Sequence, residues 1–123
     1  MLEKKSIAVC RIGMVLGMLV LSNTANAASY TVGDATGWAF NVAGWENGKN
    51  FKADDVLEFH YKPEFHKVVV VDKNGYDSCT APSGAKVYQS GKDQIKLVKG
   101  QNYFICSFPE HCHNGMKIAI DAA

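Results

Sequence analysis

Four consecutive valines, Val68–Val71, set the strongest limit on what this chain can fold into. β-Branched side chains lose rotamer freedom in a helix and pack well on a pleated strand, so the run predicts a strand covered on both faces. Shorter apolar segments recur along the chain between turn-forming residues. Leu57, Phe59 and Tyr61 alternate with Glu58 and His60 over residues 55–61, which is the period of a half-buried strand. Residues 29–32, 86–89, 94–98, 103–107 and 116–121 also read as strands, and Asn74-Gly75 reads as a tight turn. The irregular composition of residues 76–84 leaves room for a short helical turn. About seven or eight strands in roughly 95 residues predict an all-β Greek-key sandwich of two sheets with short helical segments in its loops.

The first 27 residues stand apart from this pattern. Lys4, Lys5 and Arg11 precede the apolar run of residues 12–21, and Ala25-Asn26-Ala27 matches a small-x-small cleavage site. Ten apolar residues are too few to span a bilayer, so the expectation is a cleaved secretory signal over residues 1–27 and one domain over residues 28–123. That domain carries ten lysines against eleven Asp and Glu, a formal charge of −1. It has no basic patch for nucleic acid, no hydrophobic tail for a lipid anchor and no Asn-x-Ser/Thr sequon.

Removing Cys10 with the leader leaves Cys79, Cys106 and Cys112 in an oxidising compartment. One disulfide uses two of them and leaves one thiol. Two of the three cysteines fall in "YFICSFPEHCHNGMKIAID", residues 103–121, together with His111, His113 and Met116. Cys106, His111 and Met116 follow one another at five-residue steps in a loop between two strands, so a thiolate, an imidazole and a thioether can surround one point. Met116 also shares strand parity with Ile118 and Ile120, which directs it toward the core. Soft sulfur favours Cu(I), imidazole suits Cu(II), and two histidines, a cysteine and a weak axial methionine accommodate both states. The second histidine is to be found among His60, His66 and His113, with His66 at a strand end where a sandwich presents sites. If His111 faces the metal, its neighbour Cys112 faces away and is free to bridge to Cys79. The alternative pairing, Cys79 with Cys106, leaves Cys112 idle.

Taken together, the residues resemble the phytocyanins, plant blue copper proteins of the cupredoxin fold, and within them the plantacyanin or basic blue group. The resemblance runs through Gly37-Trp38-Ala39-Phe40-Asn41, "GKNFKADDVLEF" from Gly48, "FHKVVVVD" around His66, "CTAPSGAKVYQSGKDQIKLVKGQNYFIC" from Cys79 and "PEHCHNGMKIAID" from Pro109. It implies one type 1 copper ion held by His66, Cys106, His111 and Met116, with Cys79 joined to Cys112. Met116 separates the chain from the stellacyanin-like branch, which has Gln there, while Lys67 stands where members often carry Asn.

With three strong ligands and one weak one, such a site has no vacant position for a substrate, so single-electron transfer is expected and enzymatic catalysis is not. The resemblance implies a secreted, monomeric, extracellular protein that meets an unidentified redox partner, small molecule or protein, near the edge of His111. Two other classes compete with this reading. A structural zinc site leaves Met116 without a role, and an extracellular signalling or cell-wall interaction module in which copper is mainly structural uses the same ligands. Trp38, Phe40 and Trp45 read as packing residues.

Overall fold

In a computed structural model, residues 27–123 are described. The signal expected over residues 1–27 lies outside them apart from Ala27. Seven strands form two sheets among the described residues: β1 (Ser29–Thr31), β2 (Val56–His60), β3 (Val68–Val71), β4 (Lys86–Tyr88), β5 (Lys92–Lys96), β6 (Gly100–Ile105) and β7 (Lys117–Ala122). One sheet has the order β1-β2-β5 and the other β4-β3-β6-β7. All pairs are antiparallel except β1 with β2, whose parallel register begins at Ser29 opposite Val56.

The alternating residues meet between the sheets. Leu57 and Phe59 of β2, Ile95 of β5, Phe104 of β6 and Ile118 and Ile120 of β7 are buried in one cluster with Trp38, Cys106 and Met116. Each large apolar side chain so buried contributes roughly 1.5–3 kcal/mol. Met116 is on the core side, as its parity predicts.

The valine run is covered on both faces. Val68 and Val70 face the main core, whereas Val69 and Val71 join a second cluster with Ile105 and Cys112. The cover on that second side is a helix, α1 (Lys73–Ser78), together with Cys79, Ala85 and Tyr103. This corrects the reading of Asn74-Gly75 as a tight turn. Asp72 caps the helix by accepting a hydrogen bond from the Gly75 N–H at 2.8 Å, a local bond that outweighs the Asn-Gly turn preference. Gly75 serves close packing instead, because a Cβ there would lie 2.7 Å from the Thr80 carbonyl oxygen and 2.8 Å from Val71 Cβ. The helix ends at Cys79 in the left-handed conformation.

Candidate metal centre

The loop between β6 and β7 is closed by its own backbone. Beyond the Ile105–Lys117 pair, the Cys106 N–H donates to the Met116 carbonyl at 3.0 Å, and the Met116 N–H donates to the His111 carbonyl at 3.1 Å. These two bonds bring the three residues spaced five apart to one end of the sandwich. A second clamp holds the loop from outside: the Asn41 N–H donates to Asn114 O and the Ala43 N–H to Gly115 O. Gly115 has φ +86°, and a Cβ on it would press within 3.0 Å of Asn41 Cα. His66 arrives on the segment leading into β3, the strand paired with β6 in the same sheet. The Phe65 and His66 N–H groups both donate to Lys62 O in a turn that ends at β3. Buried Trp38 then fixes the next residue, its Nε1 donating to Lys67 O at 3.0 Å.

The donor atoms of His66, Cys106 and His111 all lie within 4.8 Å of one another. His66 Nδ1 is 3.2 Å from His111 Nδ1, and Cys106 Sγ is 3.3 Å from the same His111 nitrogen. Cys106 and Met116 are fully buried, and the two imidazoles are half-buried. Desolvation, and then repulsion from His111, lower the pKa of His66 and favour the neutral imidazole that a metal requires. Among the described residues Cys106 is the one free thiol; Cys79 and Cys112 form a disulfide with Cα atoms 5.6 Å apart. The competing Cys79–Cys106 pairing is thereby excluded.

This arrangement fits a metal ion. An ion about 2.0–2.1 Å from two imidazole nitrogens in a trigonal plane separates them by roughly 3.5 Å, close to the Nδ1–Nδ1 spacing here. A dry thiol, two imidazoles and a buried thioether match one type 1 copper better than a closed zinc site. Of the other histidines, His60 is exposed with Nε2 3.4 Å from Glu58 Oε1, and His113 is exposed. Neither joins the cluster.

The comparisons with known proteins agree. A plastocyanin-like domain model matches residues 36–116. The basic blue protein of Cucumis sativus is 58% identical over 95 residues, covering 77% of this chain and 99% of that one. The basic blue protein of Arabidopsis thaliana is 54% identical over 105 residues, 85% of this chain and 81% of its own length. Among solved structures, cucumber basic protein, a blue copper protein, superposes with a TM-score of 0.77 at 57% identity, over 77% of this chain and 99% of that one. The chain is a phytocyanin of the basic blue group.

Its fold is accordingly cupredoxin-like. The phytocyanin site has a rim that includes Phe40, which reads from the sequence as a packing residue. Phe40 stands edge-on to both imidazoles, its ring centroid 5.6 Å from that of His66 and 4.8 Å from that of His111. The Phe108 ring centroid lies 5.6 Å from that of His111, and Lys67 Nζ sits 4.8 Å over the Phe108 ring. Phe40, Phe108 and the two imidazoles, with Phe65 and Pro109, line an open depression of about 560 Å³. Phe40 and Phe65 are 45% and 60% exposed, the only large aromatics so placed among the described residues. The Gly37–Asn41 motif signalled that Phe40 is present; its position over the imidazoles required the 41–43 segment to fold against the ligand loop.

Proposed function

We propose that this phytocyanin is a secreted electron carrier whose His66, Cys106, His111 and Met116 hold one copper ion. Copper supplies reversible one-electron exchange between Cu(I) and Cu(II) when bound. The protein's part is to present donors acceptable to both states without moving them. Cys106 would provide the thiolate from a buried strand end, His66 and His111 would provide imidazole nitrogens, and Met116 would provide a weak thioether sulfur. The two hydrogen bonds linking Cys106, Met116 and His111 limit rearrangement, and the surrounding apolar side chains exclude water. The partner, a small molecule or a protein, meets the exposed edge of His111 beside Phe40 and Phe108. Four donors leave no open position for a substrate, which favours a carrier over an enzyme. The leader spanning residues 1–27 is removed on export, and the monomeric domain of residues 28–123 works outside the cell. No helix among the described residues is long and apolar enough to cross a membrane.

The observation that carries this reading is the buried free thiol of Cys106 within 3.3 Å of an imidazole nitrogen that is itself 3.2 Å from a second. The test is the visible spectrum of the mature protein after addition of Cu(II). An intense thiolate-to-copper band is expected, bleached on reduction and absent in Cys106→Ser. A colourless adduct, or a band that survives the substitution, would overturn the proposal.

A further inference from the structure

Asp55 is a buried carboxylate that the metal centre does not use. It is 2% exposed, yet among the described residues no cationic side chain pairs with it. Its Oδ2 accepts a hydrogen bond from the Lys52 N–H at 2.9 Å, and its Oδ1 accepts one from the backbone nitrogen of Ala28, also at 2.9 Å. Buried carboxylates are rare without a countercharge, because two neutral amide donors replace lost hydration only in part. The second of these donors is the first nitrogen after the small-x-small sequence Ala25-Asn26-Ala27.

We propose that the leader is cut at the Ala27–Ala28 bond and that the cut itself supplies the missing charge. Hydrolysis adds one water across that peptide bond: its C–N bond breaks, Ala27 leaves as a carboxylate, and Ala28 keeps an amine that is protonated at neutral pH. A signal peptidase of the export pathway performs the cut. The neutral amide bonded to Asp55 Oδ1 thereby becomes an α-ammonium, and the contact becomes a partly buried ion pair.

The position matters for the sheet. The Val56 N–H donates to Ala28 O at 2.8 Å, and the next residue opens the β1–β2 register opposite Val56. Strand β1 is only three residues long and lies at a sheet edge. Pairing at the residue just before it therefore holds a strand that its own ladder secures weakly. Processing one residue earlier leaves an amide at Asp55, and one residue later removes the nitrogen altogether. Export and completion of the fold are thus coupled through Asp55, independently of whether copper is bound.

Three versions of the copper-loaded protein test this: one beginning at Ala28, one retaining Ala27, and one acetylated on Ala28. A charged donor is about twice as strong as a neutral one. The retained residue and the acetyl group should each raise the unfolding equilibrium constant about tenfold. In an Asp55→Asn background, which keeps an acceptor oxygen but no charge, both effects should fall below about twofold. Intact mass of the naturally exported chain should place the terminus at Ala28. A terminus elsewhere, no cost from extension or acetylation, or an equal cost in Asp55→Asn would each overturn the proposal. If Asp55→Asn does not fold, the acetylated and extended proteins still decide it.

Discussion

Cys106 and Cys112 share one loop but serve opposite sides of the same sheet. Cys106 belongs to the core between the sheets, while Cys112 belongs to the smaller cluster under α1. The first region is held by backbone hydrogen bonds that converge on a point, and its thiol is kept free. The second is held by a covalent bond and by packing of the helix on Val69 and Val71. A short loop can thus build a reactive site and its own structural anchor at once, provided the two functions point in opposite directions. The difference predicts that damage on one side should leave the other legible.

The largest effect should come from Cys106→Ser, which abolishes the visible copper band while the Cys79–Cys112 bridge persists in peptide maps. Loss of that bridge in the Cys106 variant, or an unchanged band, would break the comparison. Removing the disulfide with Cys79→Ala and Cys112→Ala together should lower stability by about 2–5 kcal/mol in urea denaturation. The band maximum should stay in place, since neither residue lies in the ligand cluster; a large spectral shift would show that the two regions are not separable.

The glycines sharpen the contrast. Gly75→Ala drives a Cβ against Thr80 O and Val71, which should cost about 1–3 kcal/mol with no change in colour. Gly115→Ala, forced to φ +86° and against Asn41, should cost about 1–2 kcal/mol and also shift the band, because Gly115 directly precedes Met116 in the proposed ligand loop. Equal spectra for the two variants would contradict this assignment.

The smallest effect is acid dependence at the metal end. The pKa of His66 lies below its ordinary value, so in the copper-free protein the unfolded chain takes up this proton first. Stability from this group is therefore full above about pH 6.5 and falls as pH drops through the lowered folded value, by no more than about 1.4 kcal/mol per pH unit. His66→Gln should flatten that slope in denaturation midpoints between pH 7 and 5.

Much of this was legible in the chain. Alternation in β2 and the valines of β3 reported burial directly, since side-chain direction along a strand follows from backbone geometry alone. Four of the five cluster members in the hairpin could be sorted by chemistry and direction. Asn74-Gly75 misled because a capping bond from Asp72, and the need to cover the outer face of β3, outweighed a turn preference of two residues. Phe40 was visible only as an aromatic, because nothing in the local pattern says which loop it will lean on.

By itself, the sequence determined the strand periodicity, the donor chemistry of the hairpin and the odd cysteine count, all properties of neighbouring residues. Only tertiary structure set His66 against His111 and Cys106, brought Phe40 over the imidazoles and placed the Ala28 nitrogen on Asp55. Those contacts join segments far apart in the chain. They form because burying two opposed sheets fixes where the segment ends meet, and no local propensity carries that information.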